Sequence, residues 1–290
     1  MRGRHFLDLS DLTREDLHAL LREGARRKAA RAGAPAALAD ADAPLAGRAL
    51  AMVFEKNSTR TRVSFDIAMR QLGGETIVMS GADMQLGRGE TIADTARVLS
   101  RYVDAVMLRT GAHEKLLELA ANSDAPVING LTDFSHPCQI LADLMTVEER
   151  LGGLKGRKAA WCGDGNNVAV SWIQAAVLLD MTLTLACPAG YEPRGDVLGW
   201  ASQRGGRVHV TTRPEEAVAD ADVVLTDTFV SMGDEDAERR LADLAPYKVT
   251  ADLMARARRE KKAEDKEAAV NALDALCKQI AHAASVDGAE

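Results

Sequence analysis

Aromatic residues are scarce: Phe, Trp and Tyr make up 4% of the 290 residues. Any core must therefore be built mostly from Ala, Val, Leu and Met, within an apolar share of 47%. Cysteine is rarer still. Cys138, Cys162, Cys187 and Cys277 form no C-x-x-C pair and show no zinc-ligand spacing, which argues against a zinc site or a disulfide framework and fits a reducing compartment. No stretch approaches the ~20 apolar residues that cross a bilayer. Positive charge is also lacking, since 36 Lys and Arg against 43 Asp and Glu leave a net −7. That balance argues against a general nucleic-acid binder. The opening Met1-Arg2-Gly3-Arg4-His5 leads into acidic and apolar residues with no signal-peptide core, and acids come too early for a transit peptide. A soluble cytoplasmic protein without membrane or nucleic-acid partners is expected.

What is present is a steady alternation of short apolar runs and amphipathic stretches. The length suggests two domains of about 150 residues. Short strands are expected at 48–54, 75–79, 105–109 and 126–130, with helices at 91–102, 113–122 and 136–151 between and after them. A second series follows, with strands at 159–164, 182–187, 207–211 and 223–226 and helices at 168–179, 197–204 and 214–221. Strand–helix alternation of this kind predicts an α/β fold of two domains, each a parallel sheet flanked by helices. The boundary is expected at 147/148, giving domains 1–147 and 148–290, with a helical tail of different character from about residue 251. Thr13 and Asp16 are spaced as a capping box for the first helix.

The densest chemistry lies at Ser58-Thr59-Arg60-Thr61-Arg62, between the first strand and an amphipathic helix stopped by Gly73-Gly74. A helix start offers free N–H groups and partial positive charge, so hydroxyls and guanidiniums placed there can cradle a phosphate. A solvated helix start is the plainer alternative. Arg109 ends a strand of the same half, and His136-Pro137-Cys138-Gln139 opens a helix with Pro at its first position. Three strand ends thus converge with Arg60, Arg109, His136 and Gln139, a set that suits an oxygen-rich anion beside a polarised carbonyl. Cys138 has no evident base and reads as structural, as do His5, His18, His113, His209 and His282.

Other segments leave choices open. The loop 84–90, with Gly87 and Gly89, fits a flexible connection or a closing lid. Gly163-Asp164-Gly165-Asn166-Asn167 carries half a dinucleotide fingerprint, but Val168 stands where the third glycine belongs. Its asparagines suit a small polar ligand instead. Asp227-Thr228-Phe229-Val230-Ser231-Met232-Gly233 also follows a strand. It fits an ammonium and carboxylate site, or a plain turn.

Together and in this order, these four motifs resemble the carbamoyltransferase family over roughly residues 6–253, and the Ser-Met-Gly turn resembles its ornithine-using branch. The resemblance implies transfer of the carbamoyl group of carbamoyl phosphate to the side-chain amine of L-ornithine, giving citrulline and phosphate in arginine biosynthesis. It implies no metal and no cofactor, a site between the domains, and a homotrimer in which the loop around Gln85 reaches a neighbouring subunit's site. By the match, Ser58, Thr59, Arg60 and Thr61 bind phosphate, while Arg109, His136 and Gln139 hold the carbamoyl group. Leu131 offers a main-chain contact, and Asn167, Asp227, Ser231 and Met232 hold ornithine's backbone. One departure stands out: the family's late His-Cys-Leu-Pro segment is absent, and Leu276-Cys277 has the reversed order. The expected consequences are a second sheet short of one strand and weakened turnover. The alternative is a catalytically silent, oligomeric scaffold that binds carbamoyl phosphate or phosphate. A carbamoyltransferase with another acceptor ranks third, and a dinucleotide-dependent oxidoreductase last.

Overall fold

Thr13 caps the first helix, α1 (Arg14–Ala30), as its spacing with Asp16 suggests. The Thr13 hydroxyl takes the Asp16 N–H at 3.1 Å, and the Asp16 carboxylate takes the Thr13 N–H at 3.0 Å. The structure is a computed structural model that describes residues 4–81, 89–230 and 236–257. Contacts divide the chain into two units, Met1–Asp143 with Gly165–Leu178, and Leu144–Asp164 with Leu179–Glu290.

The first unit contains β1 (Ala49–Phe54), α2 (Thr59–Gln71), β2 (Glu75–Ser80), α3 (Ile92–Tyr102), β3 (Ala105–Arg109), α4 (His113–Asn122) and β4 (Val127–Leu131). The strands form one parallel sheet in the order β2-β1-β3-β4. Side chains alternate across a strand, and β1 uses both faces. Ala51 and Val53 pack with Leu99, Leu116 and Leu119 of α3 and α4, whereas Leu50, Met52 and Phe54 pack with Met69 of α2. A parallel strand buried on both sides reads as the continuous apolar run Ala49-Leu50-Ala51-Met52-Val53-Phe54. Strand order reverses between β1 and β3, and open parallel sheets bind ligands outside the C-terminal ends at such a switch point.

Helix α5 (Pro137–Leu151) begins in this unit with Pro at its first position. Helix α6 (Asn167–Leu178) also belongs here, with Ala169 through Ala176 all buried. Its Gln174 amide donates to the Asp8 carboxylate at 2.7 Å, and its last carbonyl accepts from the Arg14 guanidinium at 2.7 Å.

The second unit holds β5 (Lys158–Cys162), β6 (Thr182–Ala186), α7 (Gly195–Gln203), β7 (Arg207–Thr211), α8 (Pro214–Val218), β8 (Val223–Leu225), α9 (Ala237–Leu244) and α10 (Ala251–Ala257). Its sheet is also parallel, in the order β7-β6-β5-β8. The switch point falls between β5 and β8, the two strands that deliver the Gly163 and Asp227 motifs. One face is closed by small and medium side chains, including Ala160, Ala217, Val218, Val224, Leu253 and Ala257. Among the described residues β8 is the outer strand of this sheet, and no strand follows it. Helix α9 lies outside the elements expected from sequence, and Leu244 is its only buried side chain.

Candidate active site

Ser58 sits at the N-cap of α2 in an extended conformation (φ −161°, ψ 109°), and its hydroxyl accepts the Thr61 N–H at 3.3 Å. Helix α2 therefore starts at Thr59, four residues ahead of its apolar periodicity, because the cap and not the periodicity sets the boundary. No acidic residue occupies its first turn. The positive end of the helix dipole is left without a carboxylate and is joined by Arg60 and Arg62, which is the electrostatic condition for holding an anion.

The β3 end meets this turn directly. The Arg109 guanidinium donates from Nη1 to the Thr61 hydroxyl at 3.2 Å, and the Ser58 hydroxyl donates to the same oxygen at 3.0 Å. Burial, followed by the Arg60 charge, holds the Arg109 guanidinium below its ordinary range, although it remains a cation. His136 is the next link. Burial first and the Arg109 charge second push its imidazole down to about 4, so the ring is neutral at neutral pH. Its main-chain N–H donates to the Ser171 hydroxyl at 2.9 Å, which fixes the residue at the start of α5. Among the described residues, the buried side-chain nitrogens and oxygens lacking a hydrogen-bond partner include Arg109 Nε and His136 Nδ1. A buried polar atom without a partner is costly. Two such atoms on neighbouring cationic and neutral donors mark a place suited to an oxygen-rich ligand.

The remaining residues singled out by sequence are placed as follows. Thr59 and Arg60 are exposed, and Thr61 is half-buried. Gln139 is exposed and donates from Nε2 to Asp143 at 2.8 Å along its own helix. The Leu131 carbonyl accepts the Thr110 N–H at 3.0 Å. Asn167 donates from Nδ2 to the Thr132 carbonyl at 2.6 Å. Asp227 is half-buried just beyond β8. Gln85, Ser231, Met232 and Cys277 lie outside the described residues. Cys138 donates from Sγ to the Asn129 carbonyl at 3.4 Å, and burial pushes its thiol up to about 12, the behaviour of a structural cysteine.

The second unit braces its own loops. Gly163 has φ +134°, and a Cβ there would lie 3.3 Å from the Phe229 ring. Arg240 of α9 pairs with Asp164, donates from Nε to the Phe229 carbonyl at 3.1 Å, and lies 5.3 Å from the centroid of the Tyr191 ring. The Gly163 and Asp227 turns are thus fastened to each other through Arg240. Ser171, Thr110 and Arg240 carry no motif. Ser171 and Thr110 lie among ordinary local sequence, and the fold of the first unit brings them beside His136 and Glu55; Arg240 is brought to the Asp164 and Phe229 turns within the second unit. Among the described residues no group of His, Cys, Asp and Glu could hold a metal ion, and no helix is long and apolar enough to cross a membrane.

Residues 4–149 match the family model described as aspartate/ornithine carbamoyltransferase, carbamoyl-P binding domain, and residues 155–263 match that of the Asp/Orn binding domain. Over 254 residues the chain is 57% identical to an ornithine carbamoyltransferase of Rhizorhabdus wittichii, covering 88% of this chain and 82% of that protein. An ornithine carbamoyltransferase of Brucella ovis is 53% identical over 88% of this chain and 80% of its own length. Among solved structures, ornithine carbamoyltransferase from Pyrococcus furiosus superposes with a TM-score of 0.81 at 46% identity, covering 88% of this chain and 81% of that one. The anabolic enzyme from Campylobacter jejuni gives 0.79 at 37% identity over 89% and 84%.

Proposed function

Since the chain belongs to the aspartate/ornithine carbamoyltransferase family, we propose that it transfers the carbamoyl group of carbamoyl phosphate to the side-chain amine of L-ornithine, giving citrulline and phosphate. The observation that carries this reading is the chain of contacts from the α2 cap through Thr61 to Arg109, with His136 beside it. Ser58, Thr59, Arg60 and Thr61 take the phosphate; Arg109, His136 and Gln139 take the carbamoyl group. Leu131 contributes its main chain, and Asn167, Asp227, Ser231 and Met232 take the α-amino and carboxylate groups of ornithine. Carbamoyl-phosphate binding belongs to residues 1–147 and ornithine binding to 148–290.

The chemistry follows from these donors. The neutral amine attacks the carbamoyl carbon, a C–N bond forms, and negative charge grows on the carbonyl oxygen. Arg109 stabilises that charge as a fixed cation, and neutral His136 does so as a ring N–H donor. The C–O bond to phosphate then breaks, and the proton lost by the amine ends on the departing phosphate, which the α2 terminus and Arg60 receive. One preorganised donor of this kind is worth about 3–4 kcal/mol, and holding two substrates in register supplies much of the rest. No electrons change hands, so the reaction calls for no redox cofactor.

The reaction belongs to arginine biosynthesis in the cytoplasm, in keeping with three free cysteines among the described residues. The assembly is a homotrimer whose loop around Gln85 serves a neighbouring site. The edge strand β2, with Ile77 48% and Val78 39% accessible, supports burial against another copy. Turnover is slower than in relatives that carry the His-Cys-Leu-Pro segment. A silent phosphate-binding scaffold is the second reading, and the absence of that segment favours it. Arg60→Ala tests the phosphate assignment: calorimetry is expected to show loss of carbamoyl-phosphate and phosphate binding with the melting temperature unchanged. Unaltered affinity would contradict it.

A further inference from the structure

The phosphate turn and Arg109 are delivered by neighbouring strands, and something must hold the two strand exits in register once the β-ladder ends. Glu55, the residue after β1, occupies that position. Its N–H donates to the Arg109 carbonyl at 2.9 Å, extending the pairing by one residue. Its carboxylate accepts a hydrogen bond from the Thr110 hydroxyl and meets the Lys115 ammonium at 2.8 and 3.1 Å, so one side chain ties the β1 exit to both the β3 exit and α4. The Glu55 side chain is only 19% exposed, and Thr110 is fully buried. From Thr110 the ties continue toward His136. The Thr110 N–H donates to Leu131, the Gly111 carbonyl accepts the Asp133 N–H at 2.8 Å, and Lys56 reaches Asp133 at 2.8 Å. Glu55 lies three residues before the cap Ser58, so a shift of its carboxylate moves the α2 terminus against Arg109.

We propose that Glu55, through Thr110, is a positioning residue for the oxyanion site: it sets the spacing between the phosphate-binding turn and Arg109 without touching substrate. The inference rests on the carbamoyl-phosphate reading above and deepens it. A purely stabilising ion pair is the competing explanation, and the same sheet contains a matched control. At the opposite ends of β1 and β3, Asp104 accepts the Ala49 N–H at 2.9 Å and the Arg48 guanidinium at 2.5 Å. It also joins these two strands, but far from the site.

The test compares Glu55→Ala, Thr110→Val, their double variant and Asp104→Ala in the full chain. The readouts are phosphate affinity by calorimetry, KM for each substrate, and melting temperature. Misplacement of a donor by a fraction of an ångström predicts roughly ten- to a hundredfold weaker phosphate binding for both single site variants. The double variant should be no worse than the poorer single, because both act through one contact. KM for carbamoyl phosphate should rise while KM for ornithine stays fixed, and Glu55→Gln, which keeps an acceptor for Thr110, should recover most of the affinity. Asp104→Ala should lower the melting temperature and leave phosphate affinity intact. Unchanged affinity in Glu55→Ala, or equal weakening in Asp104→Ala, overturns the positioning role alone. A wild-type chain that binds neither phosphate nor carbamoyl phosphate overturns the functional reading and this inference together.

Discussion

His136 and Asp8 are displaced in opposite directions from their ordinary titration ranges, and stability should record both. Burial beside Arg109 lowers His136 from 6.5 to about 4. The unfolded chain binds the extra proton between those values, so the stability present above pH 6.5 is lost as pH falls toward 4. Asp8, 5% exposed, is raised by burial from 3.8 to about 6, against the lowering effect of its hydrogen bond from Gln174. Its contribution is fully present below pH 3.8 and is lost as pH rises through 6. Each effect is on the order of 3 kcal/mol, and they offset one another across pH 4–6. Asp8→Asn removes only the second. Urea unfolding of that variant should therefore lose stability more steeply than wild type between pH 6 and pH 4, and parallel profiles would contradict the assignment. Sequence alone singles out His136 by its neighbours Pro137 and Gln139, but its neutrality depends first on burial by the fold and then on Arg109, 27 positions away. Asp8 carries no motif, and nothing local announces its burial.

Among the elements, the turn after β5 is the most constrained. Gly163 has a backbone angle that side chains rarely adopt, and its Cα faces the Phe229 ring. Gly163→Ala should cost about 1–3 kcal/mol and displace the Asp227 turn. A thermal melt should fall by several degrees, and KM for ornithine should rise while phosphate affinity holds; a change confined to phosphate affinity would show that this turn serves the wrong substrate. Most element positions were legible where one periodicity dominates. The strand 105–109 and the helix 113–122 have the ends their apolar pattern suggests. Helix α2 begins earlier than its periodicity because Ser58 caps it, and α8 stops at Val218, three residues short of the expected Ala221. Helix α9, Ala237–Leu244, is an element the expected series lacks; it is held to the unit by buried Leu244 and by the Arg240 head group.

For the molecule as a whole, the alternation of strands and helices predicts two parallel α/β sheets but not their strand order. That order is set by crossovers that place β1 between β2 and β3, and β5 between β6 and β8. The switch points so created are where the sequence motifs cluster, which is why motif reading and topology single out the same strand ends. The net charge of −7 and the cationic α2 terminus coexist because the cations are local, with Arg60, Arg62 and Arg109 gathered at one sheet edge. On the proposed reading, this edge activates carbamoyl phosphate for attack by ornithine. The most direct measurement is citrulline formation by the wild-type chain and by Arg109→Met, with ornithine and aspartate offered side by side. Citrulline above the protein-free blank, no carbamoyl-aspartate, and a loss of 10²–10³ in the variant are expected. A wild-type rate equal to the blank, or an Arg109→Met rate equal to wild type, would contradict the claim.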